Sequence, residues 1–519
     1  MATIIITGLN PSGKVPGAKF NVNFGKGRVS TSAIPRYLLL VGNMTEADIT
    51  VGSVVSNAGT ASRDVVYDIT PDVDESAKFG SRSELARMIR IGRRYGCRIK
   101  AIACAEVSAG SPVKASATIT IATNASSAGT WRYWIDGVLV EITVASSDTP
   151  TTQATAIKNA INNNPNLSCY ASSSSGVVTV RYNHPGTRGN DVTIYQDISL
   201  KPGGSTSTLA SASTYTVNPG ADGVTGVRLG DGAGTDDISD ALDALSGQTF
   251  FTLAVAHVDS TNLGLLKTYN DTKAATGTQR YEHIVFGQNG LLATANTLTD
   301  AVNKERFQAV WQQGGENTPC ELAASMGAMR TEKEQAHPNR RYLGEVLLGI
   351  APQRSLLDRP DGSEYGVQQS ALDNGISPVT TTADGSAIVV RAVTTRHLRT
   401  VGNATVDFYG TLDCGQARAP DVFSEEAELL WLTEVAANNE WVGPDPAPGA
   451  PNPPSGVVTP RIWASALKNL GAQKIAENWF ETVDITAEYD ASGKQILTSI
   501  DAMPKALNYR VGANINQTF

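Results

Sequence analysis

Arg36-Tyr-Leu-Leu-Leu-Val41, closed by Gly42, holds an unbroken apolar run from Tyr37 to Val41, of strand length. A run that is apolar on both faces belongs inside a sheet covered on both sides, which is how parallel sheets are built. Working outward, Ser81-Arg-Ser-Glu84 reads as a capping box, in which the Ser81 hydroxyl accepts from the N3 amide and Glu84 returns a bond to the cap. Leu85, Met88 and Ile89 then share one helical face, and Arg93, Arg94 and Gly96 mark the C-terminal end. Arg98 to Cys104 follows as a strand. The order resumes much later, with helices over Asp236 to Leu245, Asn262 to Ala274 and Ala293 to Lys304. Between and after them come strands over Phe250 to Ala256, His283 to Phe286 and Phe307 to Trp311. Alternation of this kind makes a sheet covered by helices.

Between the two stretches the composition shifts toward Ser, Thr, Gly and Val. Trp131 to Ile135 and Val138 to Val144 flank Asp136-Gly137, the strongest short hairpin signal. A helix near Thr152 to Asn162 and strands over Gly176 to Tyr182 and Asp191 to Tyr195 complete a small α+β unit, read as an insertion into the α/β domain. Insertion spares the host sheet when the chain leaves and returns at neighbouring surface points, and Ser108 to Ser111 and Gly203 to Ser213 suit such junctions.

The last third holds a β-rich stretch at Ala387 to Thr395 and an amphipathic helix around Ser424 to Ala437, with Glu425 and Glu426 placed for its dipole. Six prolines between Gly443 and Gly456 forbid regular structure there. Thr459-Pro460 starts another helix with its residues at N-cap and N1. Trp463, Ala466, Leu467 and Leu470 give that helix an apolar stripe, while Arg461, Lys468 and Lys474 are expected to stay open to solvent or a partner. Lys494 to Ala502 is a strand.

Both ends alternate. Leu507, Tyr509, Val511, Ala513, Ile515, Gln517 and Phe519 point one way and the residues between them the other; Phe20, Val22 and Phe24 repeat the pattern after Pro16-Gly17. With nothing beyond Phe519 to form a hairpin, the final strand must find its partner elsewhere. Two readings meet this pattern: an edge strand of the chain's own sheet, or an arm that adds to a neighbouring subunit's sheet.

Length and charge bound the rest. A chain of 519 residues implies about two to four domains. With 42 basic and 50 acidic residues and no dense Lys/Arg run, the net charge of -8 argues against direct nucleic-acid binding. The start lacks the basic and long apolar regions of a secretion signal, and no apolar run is long enough for membrane insertion, so cytoplasmic synthesis is expected. Cys97, Cys104, Cys169, Cys320 and Cys414 show neither Cys-x-x-Cys spacing nor paired histidines, so no zinc site is expected and buried thiols are the default. An odd number leaves one thiol able to bridge two subunits under oxidising conditions.

No catalytic constellation emerges. Gly230 to Asp237 is glycine-rich ahead of a helix but lacks the Gly-Lys-Ser/Thr ending of a P-loop, and no Gly-x-Ser-x-Gly elbow exists. His184, His257, His283, His337 and His397 are scattered, none in a His-x-x-x-His pair. His257 and His283, at the ends of consecutive strands with Asp259 close by, make the best case for an enzyme. No enzyme, cofactor or metal is expected.

Taken in order, this chain resembles the contractile tail sheath proteins of myophages, and looks closest to their Mu-type branch. The resemblance is carried by Lys14-Val-Pro-Gly-Ala-Lys-Phe20, similar to the Val-Pro-Gly start of sheath arms, by Gly186-Thr-Arg-Gly-Asn-Asp-Val-Thr-Ile194, similar to a Gly-x-x-Gly-Asn motif of their inserted domain, and by the terminal strand. Lys19 and Asn21 depart from the aromatic or acidic residues common there. It implies an α/β core (a helix-covered mixed sheet) with an inserted β-rich α+β domain, a C-terminal α+β region and extended N- and C-terminal arms. The implied division is an arm over 1–25, a sheath core over 26–104 and 223–380, an outer insertion over 105–222, a tube-facing domain over 381–506 and an arm strand over 507–519.

It further implies stacked hexameric rings in a helical array around a tail tube protein, with baseplate and tail terminator proteins as further partners, and contraction that drives the tube through the host envelope for genome delivery. The place is the virion tail, assembled in the host bacterial cytoplasm. Arg461, Lys468 and Lys474 are candidates for tube contact, and Phe20, Val22, Phe24, Leu507, Tyr509, Val511, Ile515 and Phe519 for intersubunit strands. The alternatives are the sheath of a bacterial contractile injection or secretion system, and a surface-binding or enzymatic α/β protein with a carbohydrate-binding insertion and a pocket near His257 and His283.

Overall fold

A computed structural model describes residues 36–505 apart from 109, 214–215, 218–223, 276–277, 354–363, 402–403, 408–411, 437–440, 444, 446–454 and 490–494. Both terminal arms, with Phe20, Val22, Phe24, Leu507, Tyr509, Val511, Ile515 and Phe519, lie outside the described residues.

The Tyr37–Asn43 run is central in an eight-stranded mixed sheet, as an apolar strand must be. Across the sheet the order is Ala387–Val389, Ile376–Thr381, Phe307–Trp311, His283–Gln288, Thr252–Val255, Tyr37–Asn43, Arg98–Cys104 and Val66–Ile69. The six inner strands run parallel and the two outer ones antiparallel to their neighbours. Leu38 and Leu40 face one apolar cluster with Met88, Ile89 and Met326, whereas Leu39 and Val41 face another with Leu242, Leu263 and Phe286. Chain order reverses between Tyr37–Asn43 and Thr252–Val255, and the C-terminal ends of those strands form the crevice that open α/β sheets use for ligands.

An inserted unit follows Arg98–Cys104. Ser207–Ala210, Ser116–Ile121, Val177–Tyr182 and Cys169–Ser174 make one four-stranded sheet; a five-stranded one runs from Thr216–Val217 through Val224–Arg228, Thr193–Asp197 and Gly129–Ile135 to Val138–Val144. Trp131, Ile135, Ile119, Val178 and Ile157 of helix Pro150–Asn163 close a separate core between them. Asp136 and Gly137 both have positive φ, 53° and 71°, as a two-residue hairpin turn demands. Gly203 to Ser213 does not lead back to the large sheet, because Ser207–Ala210 pairs with Ser116–Ile121, and the five-stranded sheet continues past residue 222.

Several elements differ from the sequence reading. The cap of helix Glu84–Gly92 is Ser83, whose hydroxyl accepts from the Ala86 amide at 3.1 Å; Glu84 points inward to other partners instead of completing a capping box with Ser81. The helix expected from Asp236 shrinks to Ser239–Ala244, because the Asp236 carboxylate is turned to the Val107 amide at 2.6 Å. The helix placed around Ser424 begins at Cys414, runs through Pro420 to Leu430 and passes into a π-helical turn, Trp431–Ala436, so Glu425 and Glu426 lie far from its N-terminus. Pro460–Ala476 starts as expected, with Thr459 accepting from the Ile462 amide. It packs on a ten-residue hairpin, Phe480–Tyr489 with Gln495–Pro504, through Leu467, Leu470 and Val483.

Candidate functional site

The crevice at the switch point is filled by the chain itself. Glu84, in the first turn of its helix, is 1% exposed. Its Oε1 accepts from Arg188 Nε at 2.9 Å and from the Tyr182 hydroxyl at 2.8 Å, both in the inserted unit, and its Oε2 accepts from the Asn43 amide at 3.3 Å. Arg188 also pairs with Asp236. Burial would raise the Glu84 carboxyl, but Arg188, with help from His184 and His257, holds it down at about 2.

Arg188 belongs to the Gly186 to Ile194 motif, and that motif is built to deliver it. A Cβ on Gly189 would stand 2.8 Å from Ala115 Cβ and 2.9 Å from Tyr182 Cβ, so only glycine lets the turn lie this close. Asn190 ties the turn to Gly232, accepting from its amide at 2.9 Å and donating to its carbonyl at 3.1 Å.

Two more arginines of the same stretch complete the seam. Arg82, fully buried, donates to carbonyls of Ile161 at 3.1 Å and Asn162 at 2.7 Å at the end of the inserted helix, and to Val55 at 2.9 Å. Burial with no carboxylate partner brings it down to about 10. Arg87 pairs with Asp136 in the hairpin turn and, at 2.7 Å, with Glu321 in helix Pro319–Glu334. Of the volume left beside Glu84, Tyr182, Arg188 and Cys320 there remains about 10 Å³, at the threshold for one water.

A second charged seam lies at the opposite, N-terminal ends of the inner strands, around His283 and Thr252. Glu334 accepts from Arg330 at 2.7 Å, Arg418 at 2.8 Å and the Tyr342 hydroxyl at 2.8 Å. Burial would raise its carboxyl, but the two arginines hold it at about 2. His283 donates from Nε2 to Asp421 at 3.0 Å and accepts at Nδ1 from Arg330 at 3.0 Å. Burial, then Arg418 and Arg330, push its pKa well below the ordinary value, so it is a neutral, fully engaged imidazole.

His257 and His283 therefore do not converge. Thr252 is the ladder partner of His283, which puts His257 five residues further along, roughly 16 Å away at the other end of the strands. His257 instead meets Asn43 at 3.1 Å, and Asp259 caps helix Ser260–Ala274 through the Asn262 amide at 3.0 Å. An open cleft of about 390 Å³ lies elsewhere, lined by Asp300, Asp373, Asn374, His397, Leu398 and Asp407.

Of the tube-contact candidates, Arg461 and Lys468 are exposed on helix Pro460–Ala476. Lys474 is the correction: it is 6% exposed, because its ammonium sits 4.1 Å over the Trp479 ring and pairs with Glu426 at 2.8 Å and Glu477 at 3.0 Å. Cys104, Cys169, Cys320 and Cys414 are buried free thiols and Cys97 is half-buried. Sequence reasoning missed Glu84, Arg87, Arg82 and Glu321 as junction residues. Their signal was charge placed within or beside apolar helical runs.

The class defined here is a mixed α/β protein with one large sheet and several small ones. Among solved structures the chain is similar to the sheath tail protein from Desulfitobacterium hafniense, at 10% identity and a TM-score of 0.44 over 93% of this chain and 100% of that one. It is also similar to a chain of the anti-feeding prophage baseplate, at 12% identity and a TM-score of 0.36 over 54% of this chain and 74% of that one. No family model and no curated protein matches. Among the described residues no helix is long and apolar enough to cross a membrane.

Proposed function

We propose that this chain is a structural subunit of a contractile tail sheath of the Mu-type branch, polymerising as stacked hexameric rings around a tail tube. One observation carries the reading. The hairpin Phe480–Tyr489 with Gln495–Pro504 forms a sheet of its own, with no third strand among the described residues, and in the chain it comes just before the alternating stretch 507–519. A pair of ten-residue strands that no third strand joins among the described residues is a ready acceptor for a strand from another molecule.

In this reading the units of residues 105–222 lie on the outside and those of 381–506 face the tube, with Arg461 and Lys468 as contact residues. Partners are further copies of this chain, the tube protein, and baseplate and terminator proteins of a virion tail. Contraction is a one-way repacking in which the domains move as bodies and the strand exchanges persist, driven by added contact area and delayed by a kinetic barrier. Buried seams at both ends of the inner strands suit a body that must transmit force without opening. Electron microscopy of the purified chain tests the proposal: long hollow cylinders are expected, and monomers under all assembly conditions would overturn it.

A further inference from the structure

One guanidinium stands between two buried carboxylates of different units. Arg87 meets Asp136 of the inserted hairpin and Glu321 of helix Pro319–Glu334, and all three are buried. Each carboxylate is held in place by neutral donors as well. Asp136 accepts from the Thr318 amide at 3.0 Å, and Glu321 from Asn317 Nδ2 at 2.7 Å. The other charged groups nearby are committed: Arg188 to Glu84 and Asp236, and Arg90 to Glu75 at 3.1 Å. Tyr182, Cys169 and Cys320 face the group as neutral side chains, burial pushing each of them up. The triad thus carries one negative charge more than it can balance, and an uncompensated buried charge is relieved by taking up a proton.

We propose that Asp136 and Glu321 share one proton across Arg87, and that this proton helps to dock the inserted unit on the large sheet. Burial raises both carboxyls against the pull of Arg87, Glu321 to about 7. The docked state therefore holds a proton that the undocked state, with an ordinary carboxyl near 4.5, releases. The contribution of this proton to docking is full below that lower value and weakens as pH rises toward the upper one, by up to about tenfold per pH unit in the opening constant. Above the upper value the loss is complete and the curve flattens.

The test is peptide-level hydrogen exchange across 312–322, which contains the Thr318 amide, in the full chain and in Glu321→Gln from pH 5 to pH 8. Taking the ratio of the two proteins at each pH removes the intrinsic pH dependence of exchange and the contribution of groups common to both, His257 among them. Glutamine imitates the protonated carboxyl, so the ratio is expected near unity at pH 5, with the unsubstituted chain opening at least tenfold more readily at pH 8. A ratio that does not change with pH would overturn the proposal. Should Glu321→Gln fail to fold, Asp136→Asn replaces it with the same expectation, and an unfolded product from both would also count against a neutral partner in the pair.

Discussion

Arg188 donates to Glu84 at 2.9 Å across the seam between the inserted sheets and the helix-covered sheet, although the two stand 104 positions apart in the chain. Because Asp236 pairs with the same guanidinium, one side chain bridges two buried carboxylates. Arg188→Met is expected to cost about 3–5 kcal/mol in urea unfolding, since it strands both acids. The double variant with Glu84→Gln should recover part of that loss. Arg188→Lys should recover little, because an ammonium lacks the fork that reaches both.

Acid should dissolve both seams. Glu84 and Glu334 are held at about 2 in the folded chain against an ordinary value of 4.5, so their stabilisation is fully present above roughly pH 4.5 and is lost as pH falls toward 2. His257 and His283, pushed well below 6.5, act in the same direction from a higher starting point: the unfolded chain binds their protons first, so loss begins below about pH 6.5. Melting midpoints from pH 7 to pH 3 are expected to fall in two stages. Arg418→Met, which removes one of the cations holding Glu334 down, should diminish the lower stage.

The thiols limit any covalent cross-link between copies. Cys104, Cys169, Cys320 and Cys414 are buried, and burial raises their pKa values, leaving little thiolate to react. Cys97 is half-buried and likewise pushed up, to about 12. A single reachable thiol per subunit can join copies only in pairs. Non-reducing gels of oxidised particles are therefore expected to show a dimer band without a ladder, and Cys97→Ser should remove it; a ladder would require a second cysteine to be exposed.

Some of this was legible in the chain. Arg98–Cys104 and Phe307–Trp311 keep the bounds read from the sequence because buried parallel strands are mostly apolar over a short run, and the turn of the hairpin at Asp136-Gly137 is as read because few residues admit it, although the first strand starts at Gly129 and not Trp131. Helix Pro319–Glu334 was not, although Thr318-Pro319 carries the same start signal as Thr459-Pro460. Buried along nearly all its length, it has no polar face, and its Glu321, Arg330 and Glu334 are inside because their partners are inside too. The seam failed for a related reason. The motif around Arg188 was visible as a pattern, but Glu84 read locally as a cap, and nothing in its neighbourhood pointed to an arginine so far along the chain.

Deleting Leu507 to Phe519 separates folding from assembly. The described core is closed without those residues: Phe480 packs with Phe423, Val422 and Trp479, and Lys505 donates its amide to the Trp479 carbonyl at 3.0 Å, so the hairpin is anchored before the arm begins. Truncation is therefore expected to leave the melting midpoint within a degree or two of the full chain. If the arm supplies a strand to a neighbour, the same truncation removes a row of main-chain hydrogen bonds from every intersubunit contact, and cylinders should disappear. Proline at Tyr509 and Val511 makes the finer point, since it deletes two ladder donors and keeps the chain length. Truncated or proline-substituted protein that still forms cylinders under the microscope would show that the arm is not what joins the copies.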